Sequence, residues 1–69
     1  MPDHVYKIIE LYGSSPKGLQ PAIENAVGQA AKSVRNMRWL QVGEIRAHLE
    51  GGKVDHWQVG VKIGFTIED

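Results

Sequence analysis

Two glycines, Gly51 and Gly52, sit between two long stretches of β-forming residues, and no other feature constrains the fold as much. A two-residue glycine loop is a strong signal for a tight β-hairpin. Its arms run from Arg38 to Glu50 and from Lys53 to Glu68. Residues of a hairpin pair by counting outward from the turn, so Glu50 faces Lys53. One face then carries Leu40 with Ile63, Val42 with Val61, Glu44 with Val59, Arg46 with Trp57 and His48 with Asp55. The other carries Trp39 with Gly64, Gln41 with Lys62, Gly43 with Gly60, Ile45 with Gln58 and Ala47 with His56. The first face turns from apolar to polar towards the tip. Its apolar end, with Phe65 and Ile67, is expected to receive the helix that the upstream sequence forms.

Upstream, Asp3 to Tyr12 reads as a first strand, with Val5, Tyr6, Ile8, Ile9 and Leu11 around Lys7 and Glu10. Gly13-Ser14-Ser15-Pro16 is a break that leads into a helix, with Ser15 as its cap and Pro16 at its first position. From there Leu19, Ala22, Ile23, Ala26, Val27, Ala30, Ala31 and Val34 recur at helical spacing. Pro21 removes a backbone donor, so either the first turn is distorted or the regular helix begins at Pro21. The order β-α-β-β over residues 1–69 predicts one α+β domain.

The elements differ in length. The second strand is about 40 Å long at 3.3 Å per residue. A helix from Pro16 to Val34 is about 28 Å at 1.5 Å per residue. One such helix cannot cover the sheet, and the uncovered end would leave Trp57 and Ile45 wet in a monomer. Arg46 opposite Trp57 would be placed for a cation–π pair in a subunit contact. A chain of 69 residues has a marginal core, and it has no cysteine with which to form a disulfide or a thiolate metal site. Oligomerisation is the remaining support. Eight basic and eight acidic residues give zero formal charge, unlike a duplex nucleic-acid binder. A hydrophobic share of 42% is too high for a disordered tail. No apolar run reaches the roughly 20 residues that span a bilayer, and the start Met1-Pro2-Asp3-His4 is unlike a signal peptide. The expectation is a soluble, cytoplasmic protein with no membrane partner.

Three glycines, Gly43, Gly60 and Gly64, share a face with Trp39. Glycine inside a strand often marks close approach by a ligand or another backbone. The pattern fits a bare floor for a flat aromatic ligand, and equally a long hairpin that bends sharply. The three histidines show no metal-ligand spacing: His48 and His56 fall on opposite faces in this register, and His4 on another strand. No metal site is expected. A cysteine nucleophile and a phosphate loop are both missing, and neither Ser14 nor Ser15 stands beside an evident base. Catalysis is not expected.

Taken in order, His4-Val5-Tyr6-Lys7-Ile8-Ile9-Glu10-Leu11, the Gly-Ser-Ser-Pro helix start, Arg38-Trp39, Glu44-Ile45-Arg46, the glycine turn, Trp57-Gln58-Val59 and Gly64-Phe65 resemble the dodecins. The likeness covers essentially the whole chain. It implies a three-stranded antiparallel sheet wrapped on one helix, with twelve copies forming a hollow shell. It also implies flavins stacked in pairs between tryptophans at two-fold subunit interfaces, for storage and photoprotection. By resemblance Trp39 is the stacking residue, Gln58 meets the polar edge of the flavin ring, Arg46 contacts an FMN phosphate, and Glu44 lies near the flavin tail. Riboflavin and lumichrome share the ring that such a site would hold. Thr66 stands where some relatives carry a second basic residue. Some bacterial members also bind coenzyme A, for which Lys7 is the one position carried over.

Taken alone, Trp39 fits a structural or interface role, Gln58 a solvent-facing strand position, and Arg46 an interface ion pair. Two other functions compete with the flavin. One is stacking of single-stranded nucleic acid on the exposed aromatic; such a site usually sits in a positive groove, whereas this chain has no excess of positive charge. The other is a purely structural shell.

Overall fold

The computed structural model of the chain describes residues 4–67. It contains strand β1 (Tyr6–Ser15), helix α1 (Leu19–Ala30), strand β2 (Met37–Glu50) and strand β3 (Lys53–Thr66), in the expected β-α-β-β order. The strands form one antiparallel sheet in the order β1-β3-β2. The hairpin turns at Gly51 and Gly52, both at positive φ, as a two-residue turn of this kind requires. The Asp3 start expected for the first strand and the Glu68 end of the third lie outside the described residues.

β1 runs three residues further than Tyr12, through Gly13, Ser14 and Ser15. Gly13 is a strand residue here because the helix comes close. A Cβ on it would collide with the Ala22 carbonyl oxygen and lie 2.9 Å from the Ala26 Cβ. Ser15 is buried and does not cap the helix. Its Oγ accepts from the Lys17 backbone N–H at 3.0 Å, turning the chain at Pro16 and Lys17. α1 therefore starts at Leu19, after Gly18 at φ 141°, rather than at Pro16. Pro21 falls in the first turn, where the N–H has no intrahelical acceptor, so it causes no distortion. The helix ends at Ala30, short of Val34. Lys32 and Ser33 donate to the Gln29 and Ala30 carbonyls in a tightened last turn, and Asn36 at φ 65° sends the chain into β2.

The stripe Ala22, Ala26 and Ala30 packs on Val59, Val61 and Ile63 of β3, with Ile9, Leu11, Ile23, Val27 and Met37 around them. α1 lies on β1 and β3 and makes no comparable contact with β2. Its 12 residues span only about 18 Å, against about 46 Å for the 14 of β2. Phe65 is half-buried, and Ile67 remains exposed rather than receiving the helix. The helix side of β2 is left uncovered. Leu40, Val42, Ile45 and Leu49 are exposed there, beside Val54 of β3. A cleft of about 260 Å³ opens between the helix and the start of β2, lined by Val27, Met37, Leu40 and Ile63 among others.

The hairpin register departs from simple counting before Trp39, where Met37 rather than Arg38 faces Phe65, and again in its middle. Trp39 with Gly64, Leu40 with Ile63, Gln41 with Lys62 and Val42 with Val61 pair as expected. Beyond Val42, β2 carries an extra residue, with Gly43 and Glu44 set against Gly60 alone. Near the tip β3 carries the extra residue, Asp55, between Val54 and His56. The two bulges cancel, and Glu50 still meets Lys53. Between them every pair slips by one: Ile45 faces Val59, Arg46 faces Gln58, Ala47 faces Trp57 and His48 faces His56. The expected pairs Glu44–Val59, Arg46–Trp57, His48–Asp55, Ile45–Gln58 and Ala47–His56 are therefore not formed, and Gly43 shares Gly60 with Glu44 in the bulge. A one-residue slip moves side chains to the other face of a strand. Ile45 accordingly joins the helix side, and Glu44, Arg46 and His48 move to the open side.

Candidate functional site

The open face of the sheet gathers one side chain in two from each strand. β1 contributes Tyr6, Ile8, Tyr12 and Ser14, β3 contributes Thr66, Gly64, Gly60, Gln58 and His56, and β2 contributes Trp39, Glu44, Arg46 and His48. Four of the residues singled out from the sequence, Trp39, Glu44, Arg46 and Gln58, thus share a face. Counting without the bulge separates them into two pairs on opposite sides. Lys7 lies opposite Phe65 on the helix side and is not part of this face.

At one end Trp39 is 39% exposed, and its six-membered ring occupies the space a side chain at Gly64 would fill. A Cβ there would collide with the indole Cζ2. Tyr6 meets the indole edge-on, with ring centroids 5.9 Å apart. The aromatic surface is therefore held in place and still open to solvent.

Further along lies a polar ladder. The Tyr12 hydroxyl donates to Glu44 Oε1 at 2.8 Å. That bond favours the neutral phenol and raises the Tyr12 pKa above the ordinary tyrosine value, with lesser contributions from desolvation and the Glu44 charge. The Arg46 guanidinium lies 4.6 Å above the Tyr12 ring centroid, so the cation–π partner of Arg46 is Tyr12 and not Trp57. Trp57 is half-buried on the helix side opposite Ala47. Arg46 Nε donates to Gln58 Oε1 at 2.6 Å. Gln58 Nε2 donates in turn to His56 Nε2 at 3.4 Å, and His56 Nδ1 donates to Asp55 Oδ2 at 2.8 Å. His48 and His56, expected on opposite faces, are stacked with centroids 5.1 Å apart. Among the described residues, no group of three or more His, Asp or Glu side chains is placed to hold a metal ion.

Trp39 and Gln58 share a face without sharing a place on it. Gln58 and the Gly64 beneath Trp39 are six positions apart on β3, or about 20 Å. β3 is continuous across that stretch, and the protein extends 54 Å in its longest dimension, so the bulge in β2 does not fold the two together. Tyr12 was not singled out from the sequence. Its partner position Gly60 was, and a Cβ on Gly60 would press to 3.0 Å from the Tyr12 ring. The register of β1 on β3 is what links the two residues, and no local turn specifies it.

The fold and this face define a small β-α-β-β protein with a glycine-seated tryptophan and a polar ladder on the open side of its sheet. The dodecin family model matches residues 5–68. The chain is 40% identical over 65 residues to the dodecin of Thermus thermophilus, covering 94% of each. The structure of dodecin from Streptomyces coelicolor superposes with a TM-score of 0.94 at 42% identity, covering 100% of this chain and 99% of that one. Dodecin from Streptomyces davaonensis gives 0.93 at 35%, covering 99% and 100%. The chain belongs to the dodecin family.

Proposed function

We propose that this protein binds FMN without turning it over, holding the flavin in store and shielding it from light. The observation that carries this reading is the indole of Trp39 lying in the gap at Gly64, on the same face as Gln58, Arg46 and Glu44. The isoalloxazine stacks on Trp39, in pairs across a two-fold contact between subunits. An electron-rich indole at stacking distance quenches the excited flavin by electron transfer. A flavin enclosed between a tryptophan and a second flavin has no face left for a substrate. Gln58 bonds the pyrimidine edge of the ring. Arg46 takes the phosphate with its terminal nitrogens, which make no hydrogen bond among the described residues, and this favours FMN over riboflavin or lumichrome. Glu44 lies along the flavin tail. The exposed Leu40, Val42 and Ile45 on the uncovered side of β2 are covered by neighbouring copies in a shell of twelve. A coenzyme A contact through Lys7 would use a separate surface, on the helix side.

The test is an absorption spectrum of the purified protein, followed by titration of FMN with its fluorescence as readout. Bound yellow pigment and quenching of added FMN are the expected results. A colourless oligomer that leaves FMN fluorescent would instead be a structural shell, and retention of single-stranded oligonucleotide without flavin would mark a nucleic-acid stacking platform.

A further inference from the structure

Gln58 is held at both ends of its amide, and the hold runs through a histidine. Arg46 Nε has only a hydrogen to offer, so the atom it meets at 2.6 Å must be the amide oxygen. The Gln58 NH₂ group then points at His56 Nε2, which must accept and therefore carries no proton. The ring proton sits on Nδ1, where it donates to Asp55 Oδ2. One tautomer of neutral His56 satisfies the whole chain Arg46–Gln58–His56–Asp55. This arrangement leaves one lone pair on Gln58 Oε1 and one N–H on Nε2 side by side, a donor–acceptor pair that matches an N–H flanked by carbonyls.

Resting on the flavin reading above, we propose that His56 is a positioning residue for Gln58 and makes flavin binding depend on a proton. Protonated His56 carries a hydrogen on Nε2 that faces the Gln58 NH₂ group, donor against donor. Turning the amide over relieves that contact but sets the NH₂ group against Arg46 Nε–H. Swinging the imidazole away releases the amide end. Each route loses a hydrogen bond that fixes Gln58 for the ligand. The groups facing His56 are Asp55 on β3, the stacked His48 on β2, and the uncharged Ser14 and Ser15 on β1, while Arg46 holds the far end of Gln58 and Glu50 lies on His48. Glu50 accepts from His48 rather than from His56. Solvent reaches His56 through an open cleft lined by Ser14, Ser15, Pro16 and Asp55, so the proton has a path. Histidine is the side chain that ordinarily changes charge between pH 5 and 8.

The probe is riboflavin, because an FMN phosphate itself titrates near pH 6. Its affinity for the assembled protein is measured at pH 7.5 and pH 5.5, with oligomer size checked at both. About fivefold weaker binding at pH 5.5 is expected, the loss of roughly one hydrogen bond. In His56→Gln the ratio of the two affinities should fall to nearly one, while His48→Gln and His4→Gln keep the acid loss. A flat profile in the parent protein, or an unchanged loss in His56→Gln, overturns the proposal. If riboflavin binds at neither pH, the flavin reading is what fails, and the ligand-free protein then decides the role of His56. Long-range ¹⁵N–¹H correlation on labelled histidine should show His56 protonated on Nδ1 at pH 7.5, and the opposite tautomer removes the basis of the proposal.

Discussion

On its helix side β3 carries Val59, Val61 and Ile63, which are 0–2% exposed against the alanine stripe. On its open side the same strand carries Gln58, Gly60 and Gly64, with Trp39 and Tyr12 laid over the glycines. Both faces depend on missing side chains, and they differ in what fills the gap. At Gly13, beside the core, the space is taken by the backbone carbonyl of Ala22, which cannot move without moving the helix. At Gly64 it is taken by the far end of an indole, a side-chain tip rather than a backbone atom. The core side is therefore intolerant because backbone meets backbone. The open side is adaptable because side-chain tips meet glycine, and a face of that kind can specialise for a ligand while the fold stays unchanged.

The largest effect should come from breaking the core side. Gly13→Val places two methyl groups and a Cβ where the Ala22 carbonyl and Ala26 Cβ stand. Overpacking of a tight interior typically costs 1–3 kcal/mol, and with a backbone atom as the obstacle a loss of about 3 kcal/mol is expected. Thermal melting should fall sharply and soluble yield with it. A variant that melts like the parent would show that α1 does not lie so close to β1.

A smaller effect, confined to the open side, is expected at Trp39. Trp39→Ala should leave the oligomer intact, since the residue is off the core, and weaken FMN binding roughly 5- to 150-fold. That range follows from about 1–3 kcal/mol for stacking on an aromatic platform. Fluorescence quenching of any FMN still bound should be relieved. The 20 Å between Trp39 and Gln58 in one chain further implies that the two reach one ring only from different subunits. Co-refolded mixtures of Trp39→Ala and Gln58→Ala subunits should regenerate some complete sites and bind more FMN than the average of the two variants alone. Binding no better than that average would place the site within one chain.

The contrast between the faces also marks what the sequence discloses. The Gly51-Gly52 turn, the order β-α-β-β and the seat of Trp39 opposite Gly64 are legible because each depends on residues near the turn or on pairs outside the bulged stretch. The middle of the hairpin is not. Two bulges of opposite sense leave the pairs from Trp39 to Val42 and those at the tip as counted and shift what lies between, which is where Glu44, Arg46 and His48 stand; a third irregularity, before Trp39, sets Met37 against Phe65. Gly43 was the available signal, since an isolated glycine in a strand marks a bulge as readily as a ligand floor. The late start of α1 has a local cause in the bond from Lys17 to Ser15, which competes with a cap at the same residue. For the site, residue types point to a tryptophan and several polar groups, but the role of Tyr12 as the bed of Arg46 requires the β1–β3 pairing.

The smallest expected effect separates two ways in which Tyr12 can hold Arg46. The ring lies beneath the guanidinium, while the hydroxyl binds Glu44. Tyr12→Phe keeps the first and deletes the second, whereas Tyr12→Leu deletes both. An exposed cation–π contact contributes about 0.5–1 kcal/mol, so Tyr12→Leu should weaken FMN relative to riboflavin by roughly two- to fivefold. Tyr12→Phe should change that ratio by less than twofold. The comparison with riboflavin matters because both ligands share the ring, and only FMN has the phosphate that Arg46 is proposed to meet. The hydroxyl has its own signature. The Glu44 bond raises the Tyr12 pKa, so it is intact below the ordinary tyrosine range and lost as pH rises through the raised value. Glu44→Gln removes the carboxylate charge and should lower the phenol titration seen by ultraviolet absorbance, with little change in the FMN-to-riboflavin ratio. If Tyr12→Phe instead lowers that ratio as much as Tyr12→Leu, the hydroxyl and Glu44, rather than the ring, set the position of Arg46.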